Sequence, residues 1–447
     1  MRACGTLHAV IELVAEGASP FVGTAPGLKL KPWALPLEYL PTLFQEAFQW
    51  SLFDDDPSHR LAPGQWERLL GDYLDQLVDC PCGRVPPWLQ CVPVLPRRGR
   101  DGQGHPCGRG GMRMVAQLYR STLGPVSRAY YEEILDALAT FSREVTLPGG
   151  LDHTAAFKVF RLVMYDNPRI IWANSSATTV ERGSQGVTRM SFSCLRDEAE
   201  ARSELDAIAR SANPILEAAS ALPAGLARVA AIHDGLLSLG AGIEGAADLR
   251  NAVGALGRGH TGAVCTGYAR AFKLLCDAAH VPCAVVSGWA AGGDRPPRRG
   301  RDGETSHAWN LVDVSAERGA PPRWVHVDAC WDAGRDGWTC NHAYLGLSDA
   351  EAAPTHLAAG VGFSPACDVS AGYYDAFDLE AWDMGGARAI LRRARDASSV
   401  EMRLPSGDEG EFRRFAHEVV KLATKTWRHD VAYRLVPGRN VLLCRKR

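Results

Sequence analysis

The sequence lacks any run of about 18 apolar residues, the length that a membrane-spanning helix requires. It also lacks an excess of charge of one sign, since 49 Lys and Arg side chains face 51 Asp and Glu side chains. A balanced charge creates no overall attraction to nucleic acid or to anionic lipid. We therefore predict no membrane span and no nucleic-acid partner.

A secretory signal and a disulfide framework are also missing. The N-terminus has one arginine, and its short apolar stretch is interrupted by Glu12, which makes a poor signal peptide. The 13 cysteines are odd in number and show no repeating spacing, unlike those of small disulfide-stabilised domains. These features predict a cytoplasmic protein whose cysteines are mostly reduced.

Patterns for metal and nucleotide binding are incomplete. The candidate metal ligands near the N-terminus are Cys80, Cys82, Cys91, Cys107 and His105. Their spacing does not form the paired C-x2-C units of structural zinc sites. GRGHTG at 257–262 is rich in glycine but lacks the lysine of a phosphate-binding loop. We predict no metal site and no cofactor.

Composition and periodicity divide the chain into four regions. The Gly- and Arg-rich stretch at 96–111 has the composition of a linker and marks the first boundary. The predicted regions are an uncharacterised, partly flexible segment (1–110), an α+β region (111–200), a core (201–385) and a small C-terminal α/β unit (386–447).

Within the second region, apolar residues at helical spacing predict a helix from Ser127 through Tyr130, Ile134, Leu138 and Phe141. A second helix is predicted at 153–165, followed by a hairpin of RIIWANSS and GVTRMSFSC. Helices at 197–221 and 223–240 lead into the core, and a short helix is expected near 348–357. The last 60 residues predict the order helix, strand, helix, strand, strand.

The segment GAVCTGYARAFKLLC places Cys265 in the first turn of a predicted helix. The unpaired amide groups and the positive end of the helix dipole stabilise an anion there, so we expect a lowered thiol pKa. The same amide groups can donate to an oxyanion. Cys276 and Cys283 have no such position and are expected to be core residues. Taken alone, a cysteine at a helix start is more often a small buried residue than a nucleophile.

Two predicted strands follow, SHAWNLVDV with His307 and RWVHVDACWD with Asp328. If residues 315–322 close a hairpin, Val314 lies near Arg323 and His307 falls diagonal to Asp328 on one face. A diagonal separation of about 7 to 8 Å between backbones is within reach of a His–Asp hydrogen bond. A carboxylate on one imidazole nitrogen leaves the other nitrogen for a thiol.

Other residues in this part of the sequence compete for these roles. The alternative base is His326, and the other candidates are Asp313, Asp332 and His342. Asp332 is expected to fix the loop after the strand. The Gly- and Arg-rich insert GGDRPPRRGRDGETS before His307 is interpreted as a surface loop, with a mobile flap over the cleft as the alternative.

These motifs resemble those of the bacterial transglutaminase-like cysteine enzymes, a branch of the papain-like fold. The resemblance is carried by AVCTGYARAFKLLCDAAHVPCAVVSG, SHAWNLV and WVHVDACWD, with YLGLSDAEAAPTH similar to the segment that follows. It covers roughly residues 205–360. It implies an α+β fold in which the helix with Cys265 packs on an antiparallel sheet bearing His307 and Asp328. Val253 stands where relatives often carry an aromatic residue, so the second oxyanion donor is not identified.

The resemblance implies a nucleophile at Cys265, a base at His307 and an orienting carboxylate at Asp328, with a thioester intermediate and no metal. The expected activity is acyl transfer from an amide of a peptide or protein, by a cysteine peptidase, an amidohydrolase or a transglutaminase. The alternative is a non-catalytic peptide-binding module with the same fold. The sequence does not define the acyl acceptor or the oligomeric state.

Overall fold

The computed structural model describes residues 117–447 with gaps at 185, 241–249, 258–262, 293–295, 301–304, 316–320, 335–337, 339, 361 and 406. The chain divides after Val115, and the elements below belong to the unit Ala116–Arg447. The candidate zinc ligands and the other predictions for residues 1–110 lie outside the described residues, as do 258–262 of the GRGHTG motif.

The described part of the chain is a mixture of helices and antiparallel sheets, as the sequence predicts. The helices are α1 (Leu118–Ser121), α2 (Pro125–Ala139), α3 (His153–Asp166), α4 (Glu198–Ser220), α5 (Leu226–Ser238), α6 (Val253–Leu256), α7 (Cys265–Ala278), α8 (Ala329–Asp332), α9 (Asp349–Ala352), α10 (Tyr373–Ala376), α11 (Met384–Arg393) and α12 (Glu409–Trp427). The strands are β1 (Glu144–Thr146), β2 (Ala173–Gly183), β3 (Gly186–Cys194), β4 (Cys283–Ala290), β5 (His307–Asp313), β6 (Trp324–Val327), β7 (Leu345–Leu347), β8 (His356–Ala358), β9 (Ser399–Arg403), β10 (Val431–Val436) and β11 (Val441–Lys446).

The first sheet has the order β1-β3-β2 and packs with α2 and α3. Three residues predicted for the inner face of α2, Tyr130, Ile134 and Leu138, are fully buried. Phe141 lies beyond the helix at a φ of 56° and stacks on Trp172 with ring centroids 4.2 Å apart. The periodicity therefore identifies the buried face but extends past the end of the helix.

The hairpin of β2 and β3 forms as predicted, but RIIW does not belong to it. Strand β2 begins at Ala173, and Ile170, Ile171 and Trp172 lie in the irregular segment between the turn at Pro168 and this strand. All three are buried. These apolar residues pack in the core without forming a strand. Composition alone does not distinguish such a segment from a short buried strand.

The second sheet has the order β7-β6-β5-β4-β8, and α7 packs on its central strands β4 and β5. Strand β5 pairs with β6 in the predicted register, with Asn310 opposite Val327. The amide of Val314 donates to the carbonyl of Arg323 at 2.9 Å, which continues the predicted hairpin. Gly288 lies opposite His307, where a Cβ atom would lie 2.1 Å from the carbonyl oxygen of Leu357. A glycine thus permits β8 to approach the end of β4 that lies beside His307.

Helix α7 is buried on nearly every side, and its polar side chains have partners inside the protein. The Nζ atom of Lys273 donates to Asp277 at 2.9 Å and to the carbonyl of Cys283 at 3.0 Å. Arg270 donates to the carbonyl of Ile170 at 2.8 Å. Burying unpaired charge is costly, so these bonds fix the position of the helix relative to its neighbours.

The third sheet has the order β10-β11-β9 and packs with α11 and α12. The predicted order helix, strand, helix, strand, strand is confirmed. Phe412, Val419 and Trp427 recur at helical spacing along α12, and each is buried.

One predicted helix was too long. Residues 348–357 form the four-residue helix α9 followed by the start of β8, rather than one continuous helix. Ser348 caps α9 and forms a capping box with Glu351, which explains the helical start of this segment. In the described part of the chain, no helix combines the length and apolar character required to cross a membrane.

Candidate active site

Cys265 is the first residue of α7, as predicted. Val264 precedes it in an extended conformation and has no side-chain atom that could cap the helix. The amide groups of the first turn therefore have no side-chain acceptor at the cap residue. A thiolate or an oxyanion at this end is stabilised by these groups and by the helix dipole.

The thiol of Cys265 is partly buried, and its pKa depends on interaction with His307. Burial would raise the pKa of the thiol, but the hydrogen bond and the charge of His307 outweigh it. A hydrogen bond with the backbone of Ala308 acts in the same direction. The net result is a pKa below the ordinary value of a cysteine, which favours the thiolate near neutral pH.

His307 is the first residue of β5 and places Nε2 2.6 Å from Oδ2 of Asp328. Because Nε2 faces the carboxylate, Nδ1 is the nitrogen left for the thiol. Burial would lower the pKa of His307, but its hydrogen bonds to Asp328 and Cys265 raise it to about 10. A thiolate and an imidazolium are the pair that these directions favour.

Asp328 is the residue after β6 and caps the short helix α8. Its Oδ1 accepts from the amides of Cys330 at 3.0 Å and Trp331 at 3.1 Å. Its side chain is only 3% exposed. Burial would raise the pKa of this carboxyl, but donors that include His307 hold it well below its usual range. Asp328 is therefore an anion held by hydrogen bonds on both oxygens.

The position of Asp328 corrects one sequence prediction. We expected Asp328 to lie within the second strand, but that strand ends at Val327 and a helical turn follows. The turn makes Asp328 an N-cap residue, and its side chain reaches His307 from the end of the ladder. Asparagine and aspartate are favoured at such caps because they accept from the next backbone amides.

His356 is a site residue that no sequence motif predicted. This residue is the first of β8, and its Nε2 lies 2.9 Å from the same Oδ2 atom of Asp328 that binds His307. Its Nδ1 lies 2.9 Å from the hydroxyl of Thr355. His356 ends the segment YLGLSDAEAAPTH that carried the resemblance, and its place beside Asp328 depends on the bend between α9 and β8.

His326, the alternative base, has both ring nitrogens engaged away from Cys265. The indole Nε1 of Trp309 donates to its Nδ1 at 2.9 Å, so Nε2 carries the proton and faces Asp349 at 2.8 Å. Burial lowers the pKa of this imidazole. A neutral ring with a fixed tautomer, whose two nitrogens face Trp309 and Asp349, does not serve as a base for Cys265.

The remaining candidates have other partners. Asp313 accepts from the amides of Ser315 and Arg323, both at 2.9 Å, and so closes the hairpin. Asp332 is fully buried and accepts from the amide of Tyr344 at 3.0 Å, which fixes the following loop as expected. Cys276 and Cys283 are fully buried, as predicted.

Two other predictions from this region concern Val253 and the insert before His307. Val253 is buried at the start of α6. The insert before His307 is described in part, because 293–295 and 301–304 lie outside the described residues. The flap and surface-loop alternatives for it stay predictions.

Comparison with known proteins identifies a family for one segment of the chain. Residues 241–329 match the family model described as Transglutaminase-like superfamily. The match contains Cys265, His307 and Asp328 and ends one residue after the aspartate. A search of curated proteins found no match. Residues 241–329 thus form a domain of the transglutaminase-like superfamily, within a mixed fold of helices and antiparallel sheets.

Proposed function

We propose that the protein is a thiol-dependent acyl-transfer enzyme, with Cys265 as nucleophile, His307 as acid and base, and Asp328 as the orienting carboxylate. One observation carries this proposal: His307 contacts Asp328 through Nε2 at 2.6 Å, and interaction with His307 lowers the pKa of the Cys265 thiol. A nucleophile, a base and an orienting group in sequence are the requirements of covalent catalysis by a triad.

In the first step, the thiolate of Cys265 attacks the carbonyl carbon of an amide, and a C–S bond forms. The negative charge moves to the carbonyl oxygen, where the amides of the first turn of α7 are the donors available at the nucleophile. The intermediate then breaks its C–N bond. His307 delivers its proton to the departing amine, which leaves Cys265 acylated as a thioester.

In the second step, water or a second amine attacks the thioester. His307 accepts a proton from the attacking group, the C–S bond breaks, and the thiolate and the imidazolium are restored. Hydrolysis releases a carboxylic acid, whereas an amine acceptor gives a new amide. The two outcomes share every protein residue up to the choice of acceptor.

Asp328 and His356 complete the arrangement. Asp328 stays ionised because amides and imidazoles donate to both of its oxygens. A carboxylate at this place fixes the His307 tautomer that presents Nδ1 to the thiol. His356 binds the carboxylate of Asp328, and neither step above uses a contact between His356 and the thiol. We therefore assign His356 as a positioning residue.

We propose residues 201–385 as the catalytic region and an amide of a peptide or protein as the substrate. Three separated elements supply the reacting groups: Cys265 from the start of α7, His307 from β5 and Asp328 from the turn after β6. The balanced charge of the chain favours no polyanionic substrate.

Alkylation of Cys265 by iodoacetamide tests the activated thiol. We expect Cys265 to react faster near pH 7 than Cys194, a partly buried cysteine at the end of β3 that serves as the matched control. Peptide mass spectrometry measures both rates in one sample. Equal rates at the two cysteines would contradict the proposal.

Turnover distinguishes the enzyme from a binding module. A peptide library is incubated with the protein in the presence and absence of a primary amine, and cleavage and amine incorporation are measured. We expect one of these products from the wild type and neither from Cys265→Ser. Peptide binding without either product would instead support the non-catalytic alternative.

A further inference from the structure

A second histidine cluster lies apart from Cys265. It consists of His233 and Asp234 on α5 and His342 in the loop before β7, with Asp332 and Glu401 around them. The proposed function does not use these groups. We call this set the His233–His342 cluster.

The centre of the cluster is one oxygen atom. Oδ1 of Asp234 lies 3.1 Å from Nδ1 of His233 and 2.6 Å from Nε2 of His342. The three donor atoms all lie within 4.8 Å of one another, and the two ring centroids are 5.0 Å apart. Two imidazole nitrogens and a carboxylate oxygen that converge in this way form three sides of a zinc-type coordination site.

The outer nitrogens of both rings face carboxylates. Nε2 of His233 lies 3.3 Å from Oδ2 of Asp332 without forming a hydrogen bond to it. Nδ1 of His342 contacts Oε1 of Glu401. Histidines that bind a metal usually donate their other N–H to a carboxylate or carbonyl, which fixes the tautomer and strengthens the ligand. Glu401 takes this place for His342, and Asp332 lies near the outer nitrogen of His233.

The outer carboxylates are themselves held in place. Asp332 accepts from the amide of Tyr344, and Glu401 accepts from the hydroxyl of Tyr374 at 2.9 Å. His342 stacks on Tyr373 with ring centroids 4.0 Å apart and an angle of 11°. Ligands fixed by packing and by outer hydrogen bonds bind a metal at low cost in conformational entropy.

Charge is compatible with a divalent cation at this place. The carboxylates of Asp234, Asp332 and Glu401 surround the two imidazoles. If each imidazole carried one additional proton, the two positive charges would balance part of the negative charge of the carboxylates. A single divalent ion supplies the same two positive charges while leaving both rings neutral, the form that binds metals. The side chain of Asp234 is 48% exposed, which provides a route from solvent to the centre of the cluster.

The other two trios of potential ligands in the described residues do not fit a metal equally well. In His326, Asp349 and Cys367, the indole of Trp309 donates to one ring nitrogen, so the nitrogen that faces Asp349 must carry the proton. In the other trio His307 faces the Cys265 thiol, and His356 faces the hydroxyl of Thr355. Neither trio has two histidines with an outer carboxylate.

We propose that His233 Nδ1, His342 Nε2 and Asp234 Oδ1 bind one zinc-type divalent cation, with water in the fourth position. The metal joins α5 to the loop before β7. Glu401, on β9, holds one of its ligands. It is a structural site distinct from the proposed thiol chemistry.

Zinc binding to the full-length chain tests this site. The protein is stripped of metal with EDTA and titrated with Zn²⁺ by calorimetry, and the same titration is carried out on Asp234→Asn and His342→Gln. We expect each variant to bind one equivalent less than the wild type. The melting temperature of the wild type should rise with Zn²⁺, and this shift should be lost in both variants.

His326→Gln is the matched control, because it removes an imidazole paired with aspartate outside the cluster, and it should bind zinc like the wild type. Zinc held by N-terminal cysteines would be retained in every variant. Binding that is absent in the wild type, or unchanged in Asp234→Asn and His342→Gln, would overturn the proposal. If His342→Gln fails to fold, Asp234→Asn decides the test, since its side chain is half exposed.

Discussion

Two clusters of this protein share a motif in which one aspartate oxygen contacts two imidazoles. In the first, Oδ2 of Asp328 binds His307 and His356; in the second, Oδ1 of Asp234 binds His233 and His342. The outer partners of the rings differ. Those of the first cluster are a thiol and a hydroxyl, whereas those of the second are carboxylates.

This difference in outer partners distinguishes a histidine that can react from histidines that stabilise the structure. His307 has a nitrogen directed at a nucleophile, so its proton can move during a reaction. Each ring of the His233–His342 cluster lies between anions, which hold two protons or a metal in place. The chemistry of an imidazole thus depends on what its second nitrogen faces, and removing single groups from each cluster tests this view.

The largest effect is expected from His307→Ala. Without the imidazole, the pKa of Cys265 rises to that of an ordinary thiol or above, and a thiol of pKa about 8.5 is only a few per cent ionised at pH 7. Alkylation of Cys265 at pH 7 should fall at least about tenfold, and turnover by about 10² to 10⁴-fold, the usual contribution of a positioned acid or base. Mass spectrometry and product assays measure the two rates.

The pH dependence of alkylation and of turnover provides a second test of the pairing between Cys265 and His307. Alkylation of the wild type should rise with pH below the ordinary cysteine pKa and then stay level, because the thiolate persists. Turnover should rise over the same range and fall near pH 10, as His307 loses its proton. His326→Gln is the control and should keep both profiles, whereas an unchanged profile in His307→Ala would disprove the pairing.

Asp328→Asn should have the next largest effect. The amide group removes the charge that stabilises the His307 imidazolium and allows the wrong tautomer, so we expect turnover to fall by about 10²-fold or more. Loss of a buried, fully hydrogen-bonded carboxylate should also lower the free energy of unfolding by about 3 to 5 kcal/mol.

Urea unfolding and the product assay measure these changes in Asp328→Asn. The control is Asp349→Asn, which removes the more exposed carboxylate beside His326 and should leave turnover intact. Comparable losses in both variants would mean that Asp328 has no special connection to Cys265.

His356→Gln should reduce turnover by a smaller factor, about tenfold, by analogy with outer groups that orient catalytic ligands. Glutamine can still donate to Asp328, whereas His356→Phe cannot, so the phenylalanine variant should lose more activity and show a changed pH profile. A purely structural role predicts equal activity of the two variants at equal stability. Rates, pH profiles and urea unfolding distinguish these outcomes.

His342→Gln should have the smallest effect on reactivity, although it alters an equally well-connected histidine. In metal-free protein we expect the rate of Cys265 alkylation to stay within about twofold of the wild type. The reason is that both ring nitrogens of His342 face carboxylates, those of Asp234 and Glu401. The free energy of unfolding should fall by about 1.5 to 3 kcal/mol, the range for hydrogen bonds to charged groups. A large loss of Cys265 reactivity in a folded His342→Gln variant would show that the two clusters are coupled.

Several features of the active site could be predicted because they are local. Cys265 begins a helix since apolar residues recur with the helical period after it, and His307 begins a strand since polar and apolar residues alternate. Even the register of β5 and β6 follows, because a short connection limits how the strands can pair. Asn310 lies opposite Val327 as expected.

The errors concern places where the chain stops a regular element. The strand with His326 ends at Val327 because Asp328 accepts from the following amides and starts a helical turn. Residues 348–357 bend after α9 and enter β8. Such ends are set by capping hydrogen bonds and by neighbouring strands, which outweigh local propensity.

The sequence by itself determined the helix start at Cys265, the strand of His307 and the order of the C-terminal elements, because short-range periodicity and composition encode them. Only the tertiary structure decided that His356 shares Asp328 and that His342 meets Asp234, which are 28 and 108 residues apart in the chain. Contacts at such separations arise from the packing of α5, α7 and the central sheet. No local pattern of residues specifies which imidazole will face which carboxylate.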